Sequence, residues 1–437
     1  MPLTGEQPVE ILQGLLRFDT SNPPGDERAC IEWIRDLIAA APGADCPIEL
    51  VGDAERPSLI ARLAGAGDSP PLLLQGHVDV VPAEGEWTHP PFAAEIDDGF
   101  LWGRGTLDMK GGVAMMLAAF LRAKAAATPP PGDVIFCALA DEEAGSARGA
   151  TLLVRESPEL FEGVKYAIGE FGAFTMNIAG KRLYPVMVAE KQVFWIRATF
   201  RGPAGHGSMP VRGGAMAKLG KLLTGLDGNR LPVHITPPVR SMIEAIAAEL
   251  PLPQKLMLRA MLEPAATNRI LDLLGDRKAF FDPLLHNTVS ATVVRGGNKA
   301  NVIPGEVSVE LDCRLLPGSG PEEVLEEIHK TTGVEIDEYE VLQHDPGAAQ
   351  PDLGLFGELA ATLTELDPEA RVVPMVLPAV TDGRFFSQLG IQTYGFLPMP
   401  LPDDLPFMQL VHAPDERIPV DAIEFGTTAI ARVLTRF

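Results

Sequence analysis

Several segments of this chain place ionisable side chains directly after apolar runs. Leu72-Leu73-Leu74-Gln75-Gly76 leads into His77-Val78-Asp79, Asp133-Val134-Ile135-Phe136-Cys137-Ala138-Leu139-Ala140 into Asp141-Glu142-Glu143-Ala144-Gly145-Ser146, and Tyr166-Ala167-Ile168-Gly169 into Glu170. Short apolar runs bounded by Gly or acids read as buried strands. Each imidazole or carboxylate would then sit at the carboxyl edge of a sheet, where open α/β folds place their sites. Asp79 lies two residues past His77, on the same side of an extended segment. It could accept the second ring N–H, the usual way a metal-bound imidazole is oriented; the same spacing also suits a histidine satisfied by a neighbouring carboxylate. Three consecutive acids at an apolar edge raise one another's pKa, which a cation would relieve; a solvated turn is the alternative.

A glycine-rich stretch, Gly103-Arg104-Gly105-Thr106-Leu107-Asp108-Met109-Lys110-Gly111-Gly112, opens a helical segment. It matches neither GxGxxG nor GxxxxGK[ST], and an acid stands where phosphate would need donors, so a phosphate cradle is excluded. Asp108 is left as a helix N-cap or as a ligand.

The elements that must position these residues follow from periodicity. The first ~185 residues alternate helices (9–16, 29–40, 111–127) with unalternating apolar strands, and the α/β character returns after about Pro351. Between them, 192–201, 288–294 and 306–314 alternate apolar with polar, the mark of half-exposed antiparallel strands. Helices fit 215–226 and 321–331, and 228–283 reads as a helical insertion. The expected architecture is an α/β catalytic domain with a mixed sheet and helices on both faces, interrupted by an inserted α+β sandwich. The boundaries expected are 1–187, 188–345 and 346–437.

Composition sets limits on function. The 437 residues carry 59 acidic and 36 basic side chains, a formal charge of −23. Nucleic acid and anionic membranes are bound through Lys/Arg excess, so neither is an expected partner. Cys30, Cys46, Cys137 and Cys313 are scattered without a CxxC pair, which indicates neither a disulfide scaffold nor a thiolate zinc site. The apolar stretch 113–127 contains Arg122 and Lys124 and is too short to span a bilayer. No secretory signal is visible in MPLTGEQPVE, so a cytoplasmic protein is expected.

In combination, GHVDVVP, GRGTLDMKGG, DEEAGS, IGE, GHGSMP, NVIPGEVSVELDCR, TDGRFF and HAPDERIP resemble, in order, the M20 family of binuclear metallopeptidases and aminoacylases. This group contains acetylornithine deacetylase, succinyl-diaminopimelate desuccinylase, aminoacylase-1 and carboxypeptidases; its fold is zinc-exopeptidase-like with an inserted lid. The resemblance implies that His77 and Glu170 hold one metal, Glu143 and His412 the other, and Asp108 bridges them. Two Zn²⁺ are implied, with Co²⁺ or Mn²⁺ possible, and imidazole and carboxylate donors without thiolate suit these ions. Glu142 becomes the general base and Asp79 the orienter of His77. His206 would steady the oxyanion, often from a partner subunit, which makes a homodimer through the lid domain possible. Asn301, Arg314 and Arg384 resemble binders of the substrate carboxylate, with Lys191 a weaker candidate. Arg314 on its strand also fits a pair with a surface acid. A cis peptide at Asp108–Met109 is implied as well.

The remaining histidines, His89, His234, His286, His329 and His344, are read as structural or surface residues. The expected activity is a di-zinc hydrolysis of the amide in an N-acyl amino acid or short peptide with a free carboxylate. The competing class is a non-catalytic relative that binds an amino acid.

Overall fold

The structure, a computed structural model, describes residues 3–178, 180–275 and 278–437. Two compact units emerge: one comprising the chain up to Val188 with Asp352–Met375 and Thr381–Phe437, the other Ala189–Pro351 with Val376–Val380.

In the first unit the main sheet runs, strand by strand, Ile48–Gly52, Pro57–Leu63, Val134–Leu139, Leu72–His77, Tyr166–Gly169, Gln392–Gly395, Lys181–Glu190 and Arg371–Leu377, with Met176–Ile178 paired beside Lys181–Glu190. Its centre is parallel: Leu72–His77 pairs with Val134–Leu139 on one side and Tyr166–Gly169 on the other, and the latter pairs with Gln392–Gly395. The adjoining pairs on either side are antiparallel. The unalternating hydrophobicity of these strands has a direct cause, since the sheet is covered on both faces. Leu72, Leu74, Val134, Phe136 and Ala138 join one core, while Leu73, Ile135, Cys137 and Leu139 join another. The first core is closed by the helices Pro8–Leu16, Arg28–Ala40, Lys110–Ala125 and Val420–Leu434. Lys110–Ala125 is buried nearly all round, which explains its run of Ala, Met, Leu and Phe without any membrane role. Among the described residues no helix is long and apolar enough to cross a membrane. A small ribbon, Glu95–Asp97 with Phe100–Trp102, turns through Asp98 (φ 47°) and Gly99 (φ 77°), the left-handed pair that a two-residue hairpin needs.

The second unit is built on an antiparallel sheet in the order Thr288–Gly296, Glu306–Leu315, Gln192–Arg201, Glu338–Asp345. The alternation of Gln192–Arg201 and Glu306–Leu315 resolves as the sequence predicts, while Thr288–Gly296 is largely exposed and does not alternate. Phe194, Ile196, Ala198 and Phe200 enter a core with Leu219 and Leu222 of helix Ala215–Gly228 and with Val324 and Ile328 of helix Pro321–Thr332. On the other face Arg197 pairs with Glu310 and Arg201 with Glu306 across the strands. The stretch between sandwich elements is helical, with Pro237–Ala248, Leu252–Ala260, Pro264–Leu273 and Lys278–Leu285.

Candidate metal centre

Four loops of the first unit converge at the carboxyl edge of its parallel strands. His77 ends its strand with only 1% of its side chain exposed. Its Nε2 lies 3.2 Å from Asp108 Oδ1 and 3.4 Å from Glu170 Oε2. His412 Nε2 lies 3.0 Å from Asp108 Oδ2 and 3.4 Å from Glu143 Oε1. The two carboxylate oxygens of Asp108 therefore face different imidazoles. Donor atoms of His77, Asp108 and Glu170 lie within 4.8 Å of one another, as do those of Asp108, Glu143 and His412. Glu142 belongs to neither trio; its carboxylate is 3.6 Å from the Arg384 guanidinium.

The loops are held in place by buried polar groups. Asp79 is fully buried; its carboxylate accepts the backbone N–H groups of Glu142 and Glu143, both at 3.1 Å, and an N–H of the Asn22 amide at 2.9 Å. The acceptor closest to His77 Nδ1 is the carbonyl of Asp79 at 3.0 Å, with the carboxylate at 3.5 Å. The orienting role expected of the Asp79 side chain thus falls first to its backbone. Asp141 turns away from its two acidic neighbours, toward Asn22 and Arg56, and Arg56 in turn grips the buried Glu27. Opposite them, Glu416 is fully buried and accepts from Arg104 and from the backbone N–H groups of Gly105, Leu107 and Asp108. The Asp108–Met109 peptide is cis. Ser146 donates to Asp382, joining the end of the acidic turn to the segment that carries Arg384.

The charges do not balance within the protein alone. Burial would raise Asp108, but hydrogen bonds from His412 and His77 outweigh it and hold the carboxylate low. Asp108 and Glu143 push His412 up to about 10. His77 is raised as well, against the effect of burial, by Asp108, Asp79 and Glu170. Burial and the charge on Glu170 raise Glu142 well above the carboxylate range, and burial brings Glu170 to about 7 and Asp382 to about 6. Oε1 of Glu143 is buried; among the described residues His412 Nε2, at 3.4 Å, is its only donor neighbour, and no close hydrogen bond is made. Crowded carboxylates and two imidazoles that must share their charge form the donor set that divalent cations would neutralise.

The residues expected from the sequence to contact substrate divide between the units. Arg384 stands at the centre just described, 5% exposed. His206, Asn301 and Arg314 belong to the second unit. His206 sits exposed on a two-residue ribbon, Gly205–His206 with Val302–Ile303, and its Nδ1 is 2.8 Å from Ser208 Oγ. The carbonyl of exposed Asn301 accepts from Gly207 N–H of the same ribbon. The Arg314 fork is engaged by Asp312, two residues away, at 2.7 and 3.1 Å. Lys191 is buried, its ammonium spent on the Pro283 and His286 carbonyls and the Thr288 hydroxyl, so it has a structural task. His234, grouped with Glu323 and Glu327, likewise ties the helical stretch to helix Pro321–Thr332.

The family model for peptidase family M20/M25/M40 matches residues 73–436. This chain belongs to peptidase family M20. Among M20 relatives, it is 28% identical over 386 residues to the probable carboxypeptidase S-like 2 of Dictyostelium discoideum, covering 83% of this chain and 71% of that one. It is 29% identical over 365 residues to the N-fatty-acyl-amino acid synthase/hydrolase PM20D1 of Xenopus tropicalis, covering 81% and 70%. The fold resembles that of the di-peptidase Dug1p from Saccharomyces cerevisiae, with a TM-score of 0.66, 18% identity and coverage of 98% and 95%. The chain is a hydrolase of the metallopeptidase and amidohydrolase type, as the M20 assignment requires.

Proposed function

We propose that this M20 hydrolase is a binuclear zinc enzyme that cleaves the amide of N-acyl amino acids or short peptides bearing a free carboxylate. In this reading residues 1–187 and 346–437 form the catalytic domain and 188–345 a lid. The observation that carries it is the division of Asp108 between two imidazoles, each completed by a second carboxylate. His77, Asp108 and Glu170 would hold one ion, and Asp108, Glu143 and His412 the other. When bound, such ions lower the pKa of water and polarise the scissile carbonyl.

The protein's own groups supply the rest. Glu142 is the carboxylate left outside both trios, and its raised pKa suits a general base that works near neutral pH. Its carboxylate takes the proton of the attacking water and returns it to the nitrogen of the leaving amine. Arg384, next to Glu142, presents a fork to the carboxylate of the amino acid released. Asp79 keeps Glu142 and Glu143 in register by accepting both of their backbone N–H groups. Asn301, Arg314 and His206 are proposed to meet substrate from the second unit, Arg314 by exchanging Asp312 for the substrate carboxylate, and His206 in cis or from a dimer partner. The test is a hydrolysis screen over N-acyl amino acids and dipeptides with zinc, cobalt or manganese added. Metal-dependent release of the free amino acid is expected, and loss of that release in Glu142→Ala with metal retained; no turnover of any member would overturn the reading.

A further inference from the structure

Ser146 and Asp382 lie 236 residues apart in the chain and are joined by a hydrogen bond from the hydroxyl to Oδ1. Neither belongs to a ligand trio. Both are shut away from solvent, Ser146 completely and Asp382 to 2% exposure. A buried carboxylate is costly to keep ionised. Two groups oppose that cost at Asp382: the charge of Arg384, two residues along the same segment, and the Ser146 hydroxyl. Each end of the bond is tied to a residue with chemistry. Ser146 closes the turn that starts at Asp141; both residues are left-handed (φ 63° and 70°), and Ser146 N–H donates to the Asp141 carbonyl at 2.6 Å. Glu142 lies within that closed turn and is carried by it. Asp382 leads into the short helix Gly383–Ser387, where Arg384 Nη1 donates to the Thr381 carbonyl at 2.8 Å and the guanidinium lies 4.3 Å from the Phe385 ring centre. Behind the two segments Ala150, Leu153 and Phe161 join Phe385 and Phe386 in one apolar cluster. Apolar burial holds the segments together but has no direction. The Ser146–Asp382 bond does, and it sets their register.

We infer that Ser146 and Asp382 are positioning residues that fix Arg384 beside Glu142 and thereby make the enzyme select a free carboxylate on the leaving amine. The inference rests on the reading of Glu142 as the base and Arg384 as the fork for that carboxylate. Glu142 Oε1 is 3.6 Å from the Arg384 guanidinium. An amine that receives its proton from Glu142 therefore brings its α-carboxylate to Arg384. A guanidinium tells a carboxylate from a carboxamide by aligning two N–H groups with two oxygens. A misplacement of about 1 Å is enough to lose such alignment. The Ser146 hydroxyl has a second effect, because it occupies one oxygen of Asp382. Without it, the buried carboxylate is left with the Arg384 charge as its main compensation and draws the guanidinium away from substrate.

The test pairs each N-acetyl amino acid and dipeptide of the hydrolysis screen with its C-terminal carboxamide, using the zinc-loaded full-length protein. Wild type should favour the free acid in kcat/KM by about 10- to 100-fold. Ser146→Ala should cut that ratio about tenfold, chiefly through KM for the acid, with metal content unchanged. Ser146→Gly removes the same hydroxyl at a φ that glycine adopts freely, so it separates the lost bond from any folding defect and should give the same result. Asp382→Asn keeps an acceptor for Ser146 and should retain most of the ratio, whereas Asp382→Ala should lose it. A purely structural role would depress turnover of acid and carboxamide alike. A ratio unchanged in both Ser146 variants, or lost equally in Asp382→Asn and Asp382→Ala, would overturn the proposal. The parent reading fails differently: a wild type that hydrolyses no member of the screen, or one without preference for the free acid, removes that reading and the inference with it. An active, acid-selective wild type whose Ser146 variants stay acid-selective removes the inference alone.

Discussion

Asp108 faces His77 with one oxygen and His412 with the other, so its removal should affect two sites at once. Glu142 differs from its neighbour Glu143 in lying outside both trios. Glu142→Ala is expected to lower kcat by roughly 10²–10⁴ with metal content intact, as read by steady-state kinetics beside elemental analysis. A metal loss that follows the activity loss would make Glu142 a ligand. The same crowding fixes a pH dependence. His412 holds its proton up to about 10 and Glu170 up to about 7, and both protons must leave for the groups to bind a cation. Zinc affinity, titrated against a competing chelator, should therefore rise with pH between 6 and 8; an affinity that falls or stays flat contradicts the assignment. Asp79, Asp108, Glu142, Glu143 and Glu170 were legible in the sequence because each stands in a short motif at the end of a readable element, whereas His412 was singled out only by the family resemblance of HAPDERIP. The residues that hold these motifs were not legible. Asn22 meets Asp79 only through the fold, 57 residues away, just as Arg56 and Glu27 meet Asp141 and Asp382 meets Ser146, and no local spacing announces that.

Elements carry the loops, and Glu416 shows how. It is buried in the motif HAPDERIP and fastens the turn Gly105–Asp108 through three backbone N–H groups while pairing with Arg104. Glu416→Ala strands a buried guanidinium and three donors, so a loss of about 3–5 kcal/mol in unfolding free energy is expected, measured by denaturant titration. A change below 1 kcal/mol would show that the turn holds without it. The parallel strands and the flanking helices were readable because they are apolar without alternation or periodic at 3.6 residues. Strand Lys181–Glu190 was missed because Pro185 lies inside it, which demotes a run that otherwise reads as a strand. Strand Glu338–Asp345 was missed for a different reason: it is almost wholly exposed at the sheet edge, and its brief Glu-Tyr-Glu-Val alternation marks no buried face. The ribbon through Asp98-Gly99 did carry its hairpin signal, in a segment too polar to read as two strands.

At the scale of the whole molecule, the formal charge of −23 is partly a property of this centre. Burial raises Glu170 to about 7 and Asp382 to about 6, above their values in an unfolded chain. The stability associated with such groups is fully present below the unfolded pKa and is lost as pH rises through 6 to 7. Bound metal offsets that penalty and binds the folded state selectively. Chelation should therefore lower Tm more at pH 8 than at pH 6, followed by calorimetry with and without chelator; an equal drop at both would contradict the coupling. The M20 fold was legible from eight ordered motifs; within the first unit, the helices and strands between its motifs keep the spacing that brings their ends to one edge of its sheet.

The most direct test of the shared-carboxylate centre is metal stoichiometry, measured by elemental mass spectrometry on wild type, His412→Ala and Asp108→Ala after zinc loading and desalting. Two ions per chain in the wild type, one in His412→Ala and none in Asp108→Ala is the pattern this account predicts. A wild type without stoichiometric metal, or an Asp108→Ala protein that keeps both ions, would contradict it.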